Sequence, residues 1–208
     1  MTSTKSSKKS RTAPPEVRRK QLIDATISCI ARKGISGTTL SAIAAEAGLS
    51  LGLANFHFKS KDALLSETLK HLAAEHRDMW QQDAMRDDLS DTDKLLSIVS
   101  AQFHPRICSR KKLAVWFAFF GEASYRKTYR SISSQIDMER QELCAELLET
   151  IIADGQYMNA DAKQVAETLE GMFDGFWLNM LMYPDTFLRT NAERQVMNYL
   201  KLVFTKHF

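Results

Sequence analysis

The sequence predicts an all-α fold, and three observations carry that prediction. Only 8 Gly and 4 Pro interrupt 208 residues. Apolar residues recur at helical spacing over long stretches, with Ser, Thr or Asp at the starts and Gly or Pro near the stops. Hydrophobic residues make up 44% of the chain, enough to build a core around such helices.

Taken in order, residues 1–14 (MTSTKSSKKSRTAP) are polar and basic and read as a disordered arm. Pro14 and Pro15 suit the first turn of a helix over 16–33, where Ile23, Ile27 and Ile30 line one face and Gly34 closes the end. Thr38 and Thr39 form a capping region for a short helix over 40–47, with Leu40, Ile43, Ala44 and Ala47 facing inward. Gly48 stops it. Ser50 caps a second short helix over 51–57, and Ser60 a long one over 61–85. Further helices are expected near 92–104, 109–122, 124–154, 161–183 and 189–206, with breaks at Pro105, Gly155 and Pro184. No internal repeat is visible.

Charge divides the chain unevenly. Residues 1–65 hold 11 Lys/Arg against 4 Asp/Glu, and residues 66–208 hold 17 against 21. The basic end is where an anionic partner belongs. No signal peptide or membrane span is apparent, so a cytoplasmic location without membrane association is expected. Three widely separated cysteines (Cys29, Cys108, Cys144) suggest neither a disulfide framework nor a zinc site. His71 and His76, five residues apart, are a poor metal pair and read as solvated. With no HExxH, phosphate loop or nucleophile elbow, neither an enzyme nor a cofactor is called for.

Two short helices joined at a glycine make a helix-turn-helix. Gly48 supplies the positive φ that lets the second helix cross the first, and that second helix is the one suited to a DNA major groove. Thr39, Ser50, His57 and Lys61 are expected to meet phosphates. Leu51, Leu53 and Asn55 are the expected base-facing residues, and Gly52 fits where a partner approaches the backbone closely. Phe58 is expected to pack inside.

The stretch TLSAIAAEAGLSLGLANFHFKSKDALL resembles the DNA-binding module of the TetR family, on Thr39, Ile43, Ala44, Ala47, Gly48, Ser50, Gly52, Phe58, Lys61 and Leu64. Two positions depart from the family pattern. Ala54 stands where a bulky aliphatic residue is usual, and Asn55 where a DNA-touching tyrosine is common. The segments KLAVWFAFFGEASYRKTYR and DGFWL are similar to the choline-responsive, BetI-like subgroup. The resemblance implies a helix-turn-helix domain over 15–65 and a helical effector-binding and dimerisation domain over 66–208. It implies a double-stranded DNA operator and a small-molecule effector as partners, the chain acting as a dimeric repressor.

For the effector, Trp116 and Phe120 are i, i+4 neighbours on one helix, and Phe173 and Trp177 on another, with Asp174 beside them. Tryptophan faces attract quaternary ammonium groups, and a carboxylate adds to that attraction. The same rings also suit an ordinary core, or a site for an unrelated apolar effector. A third reading is a thiol redox sensor at Cys108, which lies among Arg106, Arg110, Lys111 and Lys112. A homodimer through the last two helices is expected from the apolar stripes Val165, Leu169, Met172, Phe173, Phe176 and Met180, then Ala192, Val196, Tyr199 and Val203 beside Met197, Leu200 and Phe204.

Overall fold

A computed structural model describes residues 13–208; most of the expected basic arm lies outside the described residues. Nine α-helices appear among those residues, and no strand. They are α1 (Pro15–Lys33), α2 (Leu40–Glu46), α3 (Leu51–His57), α4 (Lys61–Ala84), α5 (Asp91–Gln102), α6 (Arg110–Gly121), α7 (Arg126–Gly155), α8 (Ala162–Met182) and α9 (Arg189–Val203).

The starts follow from capping. Side-chain oxygens of Thr39, Ser50, Ser60, Ser90 and Asp161 accept the backbone N–H of Ala42, Leu53, Ala63, Asp93 and Gln164. Each bond satisfies a donor that the first helical turn leaves free. α1 instead opens on Pro15, whose missing N–H costs nothing there. It ends at Gly34, whose φ of 68° turns the chain while its N–H donates to Ile30 at 2.8 Å.

The C-terminal ends of α7 and α9 each have a specific cause. The left-handed residue after α7 is Gln156 (φ 54°), not Gly155, which is the last helical residue. Gly155 is required for space: a Cβ there would stand 2.1 Å from the Tyr157 ring. α9 stops at Val203 rather than running to 206. The chain then folds back, burying Phe204 edge-on against Tyr157, and Lys206 Nζ donates to the Gly155 carbonyl at 2.6 Å. The tail satisfies the carbonyl end of α7 instead of extending its own helix.

α1, α2 and α3 pack as one small unit, and α1 leans on both α4 and α6. In the remainder α4, α5, α6 and α8 all meet α7 or one another, and α9 covers α5 and α8. One contiguous core runs from Leu22 in α1 to Phe204, with Leu64, Leu69, Ile98, Phe119, Leu148 and Leu169 among its members.

Burial redistributes the stripes of the last two helices. Val165, Leu169, Phe173 and Met180 turn into the chain's own core, as do Ala192, Val196, Leu200 and Phe204. The large apolar side chains left exposed at this end are Leu178, Met182, Tyr183, Leu188 and Leu202.

Candidate DNA-contacting helix and effector cavity

The α2–α3 corner is fixed by backbone chemistry. Gly48 sits at φ 66°, where an L side chain is strained even though nothing lies within 4 Å of a would-be Cβ. Leu49 N–H donates back to the Ala44 carbonyl at 2.9 Å, tying off the turn. Ala54, fully buried, seats α3 on α1, and Phe58 is buried with the Arg19 guanidinium 4.4 Å above its ring.

The outer face of α3 is open. Leu51, Gly52, Asn55 and Phe56 are exposed, and Phe56 is the most open large ring, at 78%. Ser50 and Thr39 are exposed, with their oxygens engaged in the caps; Thr39 Oγ1 also pairs with Ser41 Oγ at 3.0 Å. Gly52 meets only Ser50 Oγ, 4.0 Å from a would-be Cβ, so the surface there stays low. His57 is half-buried, its carbonyl accepting from Arg19.

Two expected contacts are placed differently. Leu53 is half-buried, turned partly toward the unit rather than fully outward. Lys61 is not free at the start of α4: its ammonium donates to the Ile35 carbonyl at 2.7 Å, pinning the α1–α2 connection. A sequence window cannot show that a carbonyl 26 residues away comes within reach.

In the body, helices α4 to α8 enclose a cavity of about 500 Å3. Trp116, Phe120, Phe173, Asp174 and Trp177 all border it, joined by Phe117 and Tyr129. The rings brace one another: Trp116 stands edge-on to Tyr129 (6.1 Å between centroids) and tilts against Trp177 (6.5 Å). Trp177 is locked by its Nε1–H, which donates to the Gln102 carbonyl at 2.9 Å. Phe120 is 61% exposed and Asp174 is also open, so these two sit at the mouth.

The cavity also holds polar groups the sequence did not mark. His76, read as solvated, is buried, with Nε2 2.8 Å from Gln102 Oε1 and the ring 5.4 Å from Trp177. His71, by contrast, is half-buried on the same helix. Burial, reinforced by the Arg140 charge, pushes the His76 imidazole down to about 3, so the ring is neutral. Arg140 is buried, with Nε donating to Glu170 at 2.9 Å and Nη2 donating to Glu170 and, at 3.2 Å, to Asp137. Burial opposes its charge, but these carboxylates outweigh burial and keep the guanidinium protonated. Burial raises the carboxyl of Asp137, and burial with Glu170 and Asp137 nearby raises that of Asp174. Three carboxylates therefore face one guanidinium around this cavity.

Cys108 is buried, and burial pushes its thiol up to about 11, the wrong direction for a reactive thiolate. The basic residues near it in sequence do not offset that desolvation. Among the described residues no cluster fit to hold a metal ion occurs, and no helix is long and apolar enough to cross a membrane.

Residues 91–205 match the C-terminal domain of BetI-type transcriptional repressors, and residues 22–68 match the tetR family of bacterial regulatory proteins. The chain belongs to the TetR family. Within it, the chain is similar to the HTH-type transcriptional regulator BetI of Paraburkholderia xenovorans. The two are 32% identical, over 90% of this chain and 94% of that protein. A putative transcriptional regulator from Pseudomonas aeruginosa has a similar structure, with TM-score 0.78 and 25% identity over 93% of each chain. A putative transcriptional regulator from Saccharomonospora viridis, solved in complex with choline, shares the fold at TM-score 0.75 and 20% identity. That match covers 89% of this chain and 96% of the other. This TetR-family chain is accordingly a DNA-binding transcriptional regulator of the BetI type, not an enzyme.

Proposed function

We propose that the chain is a dimeric repressor whose DNA affinity is changed by a small organic cation of the quaternary ammonium class, choline being the first to test. The observation that carries this reading is the cavity's composition: six aromatic rings beside a surplus of carboxylates over Arg140. A cation against ring faces gains cation–π attraction, and its charge offsets Asp137 and Asp174. An uncharged fatty or steroidal effector would cover those carboxylates without adding a charge to offset them, which is costly. The choline complex of the Saccharomonospora viridis regulator supports the same ligand class.

The test is calorimetric titration of choline into wild type and Trp177→Ala, with gel-shift measurement on the operator. Wild type should bind choline and change its DNA affinity, while Trp177→Ala should weaken choline by roughly tenfold or more. No heat and no change in DNA affinity would sink the reading.

On the DNA side, Asn55 on the open face of α3 suits a bidentate contact with adenine, and Phe56 and Leu51 suit thymine methyl groups. Thr39, Ser50 and His57 are suited to flanking phosphates. Asn55→Ala should lose about 1–3 kcal/mol of discrimination at one base pair. An unchanged preference in a binding-site selection removes Asn55 from base readout. The exposed Leu178, Met182, Tyr183, Leu188 and Leu202 suit cover by a second copy, which sets two α3 helices for successive major grooves.

A further inference from the structure

We propose that His76 reads a hydroxyl group on the bound cation, accepting its hydrogen bond through Nδ1. This rests on the cationic-effector reading above and adds which residue senses the hydroxyl. Gln102 fixes the geometry. Its amide Nε2 donates to the Ile98 carbonyl one turn back at 3.2 Å, which leaves Oε1 as the atom 2.8 Å from His76 Nε2. An amide oxygen only accepts, so His76 Nε2 carries the proton and Nδ1 of the neutral ring presents a lone pair. Neutrality has its own support in burial and in the positive charge of Arg140 nearby. Among the described residues no donor reaches Nδ1, and the ring borders the cavity. Nδ1 is thus open to the cavity, where a bound molecule can supply the donor.

A second unmet group narrows the choice. Arg140 Nη1 is buried without a hydrogen-bond partner, although Nε and Nη2 are engaged, and Arg140 borders the same cavity. Buried polar atoms left unpaired cost free energy, so ligand groups that pair them are selected. A trimethylammonium group pairs neither atom. A carboxylate suits Arg140 alone and would stand among Asp137, Glu170 and Asp174. A hydroxyl both donates and accepts, so it is the small group whose chemistry matches both His76 and Arg140. His76 and Arg140 are therefore the residues that tell a hydroxyl-bearing ammonium cation from its carboxylate counterpart.

The probes are choline and n-propyltrimethylammonium, which has nearly the same shape with a methyl in place of the hydroxyl. Titrated into the full chain, wild type should favour choline by about tenfold. In His76→Phe that preference should shrink to about threefold or less, Arg140 Nη1 keeping its share of the hydroxyl. Equal binding of both by wild type overturns the role of His76 and leaves the cation reading standing. A preference undiminished in His76→Phe overturns it as well. Binding of neither compound by wild type overturns the cation reading, and this inference with it. Should His76→Phe fail to fold, nitrogen-15 spectra of the wild type decide: choline should shift the Nδ1 resonance and the propyl compound should not. A resonance indifferent to choline overturns the proposal.

Discussion

The helix-turn-helix unit and the effector body use polar side chains in opposite ways. In the unit, Thr39, Ser50 and Ser60 are spent within three residues of themselves, capping backbone donors at the surface. In the body, His76, Gln102, Arg140 and Glu170 come from four different helices and complete one another inside a cavity. The first arrangement leaves a helix face open for a long, flat partner. The second makes an interior whose unpaired atoms define a small one. The contrast is also one of stakes: a surface cap is backed up by water, whereas a buried charge is backed up only by its partners.

That contrast breaks most directly at Arg140. Arg140→Met removes the guanidinium and leaves Glu170 and Asp137 facing each other, which should cost about 3–5 kcal/mol in urea unfolding. Ser50→Ala, by comparison, should cost about 1 kcal/mol. If the two variants prove equally stable, the body does not depend on its buried network in the way described.

The next effect is smaller and depends on pH. His76 stays neutral in the fold down to about pH 3, while the same group in the unfolded chain titrates near the ordinary imidazole value of 6.5. Between those values the unfolded chain binds a proton that the fold refuses. Stability is therefore full above about pH 6.5 and falls as pH is lowered toward 3, by at most about 1.4 kcal/mol per pH unit. Asp137 and Asp174, with raised carboxyl pKa values, run the other way: the fold takes up their protons first, so acid relieves it. Comparing wild type with His76→Phe isolates the imidazole. Lowering pH from 6.5 to 4.5 should cost wild type up to about 2–3 kcal/mol more than the variant. Identical pH profiles would show that His76 is not held neutral.

The same division governs what the sequence makes legible. Caps, the Gly48 turn and the apolar face of α1 are local, each readable within about one helical turn, and they lie where the pattern puts them. Trp116 with Phe120, and Phe173 with Asp174 and Trp177, are legible as pairs within single helices, and the fold brings both pairs to one cavity. His76 and Arg140 carry no such local sign. Their burial depends on α5 and α8 arriving opposite them, and a lone histidine near charged neighbours looks solvated until that packing is known. Lys61 shows the same limit in reverse: its position at a helix start suggests a phosphate, and no sequence window shows that its ammonium also holds a distant carbonyl. The stripes on α8 and α9 are real, but the chain's own core uses most of them.

The smallest predicted effect lies on the seam between the two regions. The turn between α6 and α7 connects Phe120 and Tyr129, both at the cavity, and reaches toward the DNA-contacting unit. Tyr125 in that turn donates through its hydroxyl to Asp62 in the first turn of α4, and Ser36 of the α1–α2 connection donates to Glu122 at 3.5 Å. A cation that shifts Trp116 or Tyr129 thus has a short covalent and hydrogen-bonded route to the base of α4. Tyr125→Phe removes the hydroxyl and keeps the ring edge-on to Phe119, 5.9 Å away in the wild type. DNA affinity without effector, and effector affinity without DNA, should each change by less than about twofold. The coupling between them should shrink by about 0.5–1.5 kcal/mol, the worth of one hydrogen bond. Because coupling is reciprocal, the same loss must appear whether effector is titrated against the DNA complex or DNA against the effector complex. An undiminished coupling would mean that the two regions communicate by another contact, such as the packing of α1 on α6.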